Sequence, residues 1–146
     1  MGIQILISLA IVIVTIFIHG LGTVWWLTFF LRKHVIINQV FGFTKSLKIL
    51  SYTAVFFLVL HYMEIAIWAA VYMAIPAIDK ISNWEEGIYF STVTYTTLGY
   101  GDITLPPVWR IMSGFEAMNG ILLFGWSTTM FFAVMQKIIA FRNGKN

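Results

Sequence analysis

The chain has 146 residues, 60% of them hydrophobic and only 10% charged, with a formal net charge of +3 at neutral pH. A mean hydropathy of +0.86 lies outside the soluble range, so most apolar surface is expected to face lipid or sister subunits. The absence of cysteine excludes disulfides, thiolate metal sites and thiol redox switching. The small charge, with no basic patch interleaved with aromatics, argues against nucleic acid as a partner.

Three apolar runs reach the ~20 residues needed to cross a bilayer. The first, Ile3 to Leu31, contains no Asp, Glu, Lys or Arg. It is too long for a signal peptide and lacks a basic leader and a small-residue cleavage pattern, which predicts a retained helix. The second runs from about Leu47 to Ile75, where Pro76 stops it. Trp84 to about Thr96 follows, helical in pattern but too short to span. Ser82 with Glu85, or Asn83 with Glu86, offers it a capping-box start. It reads as a re-entrant helix whose carbonyl end points inward, where its partial negative charge favours a cation. The third spanning run starts at Pro107, a residue suited to a first helical turn, and continues to about Phe141. At ~1.5 Å per residue it reaches roughly 50 Å, so it should tilt, bend or project from the membrane.

Charge predicts the orientation. Arg32, Lys33, Lys45, Lys48, Lys137, Arg142 and Lys145 are seven of the nine basic residues, all in the 32–48 connection or near the end of the third run. By the positive-inside rule both places are cytoplasmic. Asp79, Glu85, Glu86 and Asp102 fall on the other side. The expected location is the cell membrane, multi-pass, with an extracytoplasmic N-terminus and a cytoplasmic C-terminus.

The most informative stretch is 96–102, Thr-Thr-Leu-Gly-Tyr-Gly-Asp. Two glycines without Cβ let the backbone take φ values closed to other residues and turn successive carbonyls toward one axis. Thr97 can add a hydroxyl at the inner end. Thr97 to Gly101 extends over roughly 15 Å, room for a short file of dehydrated cations. One strand supplies one wall, so several copies must close the ring.

This heptapeptide, between two membrane-length helices and after a short capped one, resembles the selectivity-filter signature of potassium channels. The resemblance covers about residues 47–141 and leaves 1–46 outside the two-helix pore pattern. It implies two units: 1–46, an additional N-terminal transmembrane helix with its cytoplasmic connection, and 47–146, the pore domain. It implies potassium held by carbonyls of Thr97, Leu98, Gly99 and Tyr100, with Gly101 completing the filter. Thr96, Asp102 and Glu116 are the expected filter support and outer mouth. Trp109-Arg110 resembles the Trp and Arg that open the pore-lining helix in bacterial members, and Gly120 then matches the family's hinge glycine. Ile121, Phe124 and Thr128 fall on the water-filled cavity, with Phe132 one turn further as a candidate gate. Leu98 stands where Val or Ile is commoner, and Val93 where some members carry a glutamate. No arginine ladder of a voltage sensor is present.

Glu64 and Glu116 are carboxyls inside spanning runs, roughly 15 Å from the outer ends of their helices. Each braces its neighbours or titrates as part of a gate. His61 shares a face with Glu64, and His19 lies at a comparable depth on the first helix; an interhelical hydrogen bond is favoured over a proton sensor. Metal binding by the two histidines alone is disfavoured, because a structural site wants four ligands. Trp25, Trp26 and Trp68 read as interface anchors or packing residues. No nucleophile–base pair or phosphate-cradling loop is present, so no enzyme is expected, and no cofactor beyond potassium as permeant ion. The expectation is an all-α membrane protein of three spanning helices, a re-entrant pore helix and an extended filter, assembled as a homotetramer in the lipid bilayer. A pore of weak selectivity among monovalent cations, and a non-conducting subunit packed through its first helix on another transporter, are the alternatives.

Overall fold

The computed structural model describes residues 2–34 and 42–142. Arg32 and Lys33 lie in a described helix end without described side chains, and Lys145 lies outside the described residues. The architecture is all-α: α1 (Gly2–His34), α2 (Phe43–Met73), α3 (Trp84–Tyr95) and α4 (Arg110–Arg142). Stretches of α1, α2 and α4 are each long and apolar enough to cross a membrane. A 33-residue helix such as α1 is about 50 Å long, well beyond a ~30 Å hydrocarbon core.

Three boundaries differ from the sequence expectation. The second helix begins at Phe43, so Lys45 and Lys48 ride on α2 instead of preceding it. It ends at Met73, with Ala74 as C-cap, because Pro76 disfavours helical backbone in the residue before it. The last helix begins at Arg110, not Pro107. Pro106 and Pro107 occupy the preceding turn, where the Pro106 carbonyl accepts from the Trp109 amide at 2.8 Å.

α3 starts on one of the two expected caps. Asn83 Oδ1 accepts from the Glu86 amide at 3.0 Å, and the Glu86 carboxylate accepts from the Ser82 amide at 2.8 Å. These bonds hold the Glu86 carboxyl below its usual range, the Ser82 amide being the largest cause.

α1 is polar on the inside. Gln4, Ser8, Thr15, His19 and Thr23 are buried, while Ile3, Leu6, Ile13, Phe17, Leu21 and Val24 are exposed. Between lipid-facing helices apolar burial gives little drive, so small and polar residues gather where helices meet. The buried stripe meets α2 and α4 of the same chain. Asn119 Nδ2 donates to Thr15 Oγ1 at 2.8 Å, and Trp26 Nε1 to Thr53 Oγ1 at 3.2 Å. The main apolar core gathers Trp68 and Tyr72 of α2, Phe90 and Tyr95 of α3, and Leu105 and Met112 around the short helix. That core fixes α3, and α3 fixes the segment that follows it.

Candidate ion-conduction site

The segment after α3 is built by a sharp reversal. The Thr97 amide donates to Thr94 O at 2.9 Å, and the amides of Leu98 and Gly99 both donate to Val93 O, at 2.9 and 3.1 Å. Val93 therefore serves through its backbone as well as its buried side chain. The last helical turn is capped onto the chain leaving it, and 97–101 runs back beside α3.

Backbone φ then alternates in hand. Thr97, Gly99 and Gly101 have φ of +60°, +56° and +79°, and no other non-glycine residue among those described has a positive φ. In an ordinary strand successive carbonyls point to opposite sides; inverting every second residue brings neighbouring carbonyls round to one side. Glycine takes this conformation freely. A β-branched threonine does not, and such residues cost about 1–3 kcal/mol and gather at functional sites. Leu98 and Tyr100 have their side chains exposed in the single chain, at 56% and 67%.

The outer end is tied to the pore helix. Tyr89 of α3 donates its hydroxyl to Asp102 Oδ2 at 2.6 Å. That bond, the largest cause, holds the Asp102 carboxyl below its usual range and raises the Tyr89 phenol. Folded-state stabilisation from a depressed carboxyl is present above the unfolded value near ~3.9 and is lost as pH falls through the folded one. Tyr89→Phe should therefore move the Asp102 carboxyl signal, followed by NMR, upward toward the usual range. An unmoved signal would mean that the bond does not form in the membrane. Tyr89 was missed by sequence reasoning, because a partner thirteen residues away across a reversal has no periodic signature.

Between this segment and α4 lies an open concavity of about 610 Å³ bordered by Val93, Thr97, Asp102, Arg110 and Ala117. Thr96 turns back onto its own helix, donating to Thr92 O at 2.6 Å. Ile121, Thr128 and Phe132 of α4 are exposed in the single chain. Phe124 is exposed as well, at 36%, with its ring 4.4 Å from that of His61 and 5.5 Å from that of Tyr95. Gly120 has a packing reason in addition to any hinge role: a Cβ there would collide with the Tyr95 carbonyl oxygen. Gly125 has open space around it.

Glu116 is fully buried and accepts from Tyr72 Oη of α2 at 2.8 Å. Glu64 reaches α3, accepting from Tyr95 Oη at 2.6 Å. It also meets His19 Nδ1 at 2.8 Å and His61 Nδ1 at 3.1 Å. Ser127 Oγ closes the cluster from α4, 3.1 Å from His19 Nε2 and 3.0 Å from His61 Nε2. Ligand atoms of His19, His61 and Glu64 lie within 4.8 Å of one another, the spacing of a three-ligand metal site. Each Nδ1 faces a carboxylate oxygen and each Nε2 faces Ser127, so the cluster is bonded to itself through hydrogen.

Three membrane-length helices, a short helix between the second and third, and an extended backbone of alternating hand at its carbonyl end are the elements of a membrane channel. The comparison with protein families agrees: a family described as ion channel matches residues 48–137, and the chain belongs to it. Comparison with curated proteins and with solved structures gave no match.

Proposed function

We propose that this protein is a potassium-selective channel that conducts passively through a homotetrameric pore. The observation that carries the reading is the alternation of positive φ at Thr97, Gly99 and Gly101 at the carbonyl end of α3. It supports a column of main-chain oxygens from Thr97, Leu98, Gly99 and Tyr100 that replaces the hydration shell of a potassium ion, with the pore-helix dipole favouring the cation. Gly101, braced through Asp102 and Tyr89, ends the column. One chain supplies one wall, and the exposed Leu98 and Tyr100 need neighbours. A closed ring of four copies provides both.

The basic residues on the connection side and the acidic ones around the filter mouth support a filter facing outward and a cytoplasmic C-terminus. Ile121 and Thr128 line the cavity, with Phe124 at its wall. Phe132, 51% exposed in the subunit, is the gate: four phenyl rings converging there shed water and block ions. Bending of α4 is assigned to Gly125, where the helix has room, over the tightly packed Gly120.

Native mass spectrometry of the detergent-extracted protein should give a tetramer, and liposomes holding it should pass potassium and exclude sodium. A monomer or dimer that conducts would overturn the architecture. Phe132→Ser should raise resting potassium flux with selectivity retained, because the filter is untouched. Equal flux from the two proteins at matched tetramer yield would put the gate in the filter itself.

A further inference from the structure

The family match begins at residue 48, so α1 stands outside it. One side chain of α1 nevertheless joins a buried set of donors that the matched region supplies. His19 of α1, His61 and Glu64 of α2 and Tyr95 of α3 meet there. His19, Glu64 and Tyr95 are fully buried, and His61 is 6% exposed. Two histidines alone are too few for a structural metal site, which wants four ligands. The fold brings a carboxylate and a phenol to the same point.

His61 Nδ1, Glu64 Oε2 and Tyr95 Oη form a triangle with edges of 3.1, 2.6 and 3.2 Å. His19 Nδ1 stands 2.8 Å from the other oxygen of Glu64. Ligand atoms of the two histidines and Glu64 all lie within 4.8 Å of one another. A four-coordinate zinc ion holds nitrogen and oxygen at about 2.0–2.2 Å, which sets neighbouring donors roughly 3.3 Å apart. The separations above, from 2.6 Å to at most 4.8 Å, bracket that spacing.

Ser127 adds an independent observation from α4. Its Oγ lies 3.1 Å from His19 Nε2 and 3.0 Å from His61 Nε2. A hydroxyl oxygen has two lone pairs, so it can accept both Nε2 protons at once. Both Nδ1 lone pairs then face the carboxylate and the phenol. Metal-bound histidines generally give their other ring N–H to an oxygen in this manner. An ion among the donors takes the place of the protons that otherwise join them, and its ligand set is the same wherever those protons sit beforehand. Two imidazoles and two oxygens suit zinc. The Glu64 carboxylate and a Tyr95 phenolate would cancel a divalent charge, and a neutral site is the kind a bilayer interior tolerates.

We propose that His19, His61, Glu64 and Tyr95 bind one zinc-class divalent ion per chain, with Ser127 orienting the two imidazoles. The ion ties α1 to α2 and to Tyr95, the last residue of α3, two positions before Thr97. The protons it displaces, that of the Tyr95 hydroxyl included, leave to water. Access is from the side of Phe124, which is 36% exposed and whose ring lies 4.4 Å from that of His61.

Binding is read without any flux, so the result is independent of the channel reading. Co2+ is the probe, because its tetrahedral complexes absorb visible light strongly and its octahedral ones weakly. The full chain in detergent, titrated with Co2+ near neutral pH, should take up one ion per chain with the strong tetrahedral spectrum, and Zn2+ should displace it. Ser127→Ala leaves all four ligands and should weaken binding roughly tenfold to a hundredfold with the spectrum kept. His19→Gln should weaken it further and lose the spectrum. Zn2+ should raise the melting temperature of wild type but not that of His19→Gln. A wild-type protein showing only the weak octahedral spectrum would be binding at surface carboxylates such as Asp79 and Asp102, both exposed, and would overturn the proposal. Unchanged affinity in Ser127→Ala, or an unchanged spectrum in His19→Gln, would overturn it too. Where His19→Gln does not assemble, the wild-type spectrum and Ser127→Ala decide between the same outcomes.

Discussion

Selective potassium conduction is expected to vanish in Gly99→Ala while the protein still assembles. Gly99 has a φ of +56° and nothing within 4 Å of where a Cβ would stand. The damage is therefore conformational and not steric. An L-residue in left-handed backbone costs about 1–2 kcal/mol, modest beside the burial of three long helices but incurred, in the proposed tetramer, once per chain at the same level of the pore. Relaxation toward negative φ swings one carbonyl out of the column. Ion flux at matched tetramer yield is the readout. Retained potassium selectivity would show that the handedness of residue 99 does not set the carbonyl column.

Gly120→Ala should act the opposite way, on assembly before conduction. Its Cβ would run into the backbone carbonyl of Tyr95 and crowd the Tyr95 ring at 3.1 Å. A backbone carbonyl cannot swing aside as a flexible side chain does, so α3 and α4 must separate. Overpacking of this kind costs about 3 kcal/mol, and here it falls on the helix end that carries the filter. Gly125→Ala, in open space, is the control and should be neutral or slightly stabilising, since alanine is the better helix former. Melting of the detergent-solubilised tetramer checks both. Equal melting temperatures for Gly120→Ala and wild type would mean that the two helices are not in contact at this point.

Much of the fold was legible because membrane helices announce themselves by length. The three runs, the short helix and its Asn83–Glu86 cap follow from apolar spans, a capping pattern and proline stops. The helix ends were less legible. Pro107 suits a first turn by its own geometry, but with Pro106 before it the chain used both prolines for the turn and started α4 at Arg110. At the filter, the sequence showed where glycine permits unusual φ but gave no sign that Thr97 shares the same hand. Membership of Tyr89, Tyr95 and Ser127 in hydrogen-bonded clusters was hidden, since it depends on which faces of four helices meet.

The polar stripe of α1 is the instructive case. Gln4, Ser8, Thr15, His19 and Thr23 recur at helical spacing, mostly every fourth residue, and their burial reverses the pattern of a water-soluble helix. A reading tuned to apolar periodicity sees only a uniformly hydrophobic run there. In lipid the informative residues are the polar ones.

The central claim is that the 97–101 backbone selects potassium, and a reversal potential measures that most directly. The purified full chain would be placed in a planar bilayer with potassium on one side and sodium at equal concentration on the other. The account predicts a large reversal potential with the sign set by potassium. Current reversing near zero would mean that both ions pass alike and would contradict it.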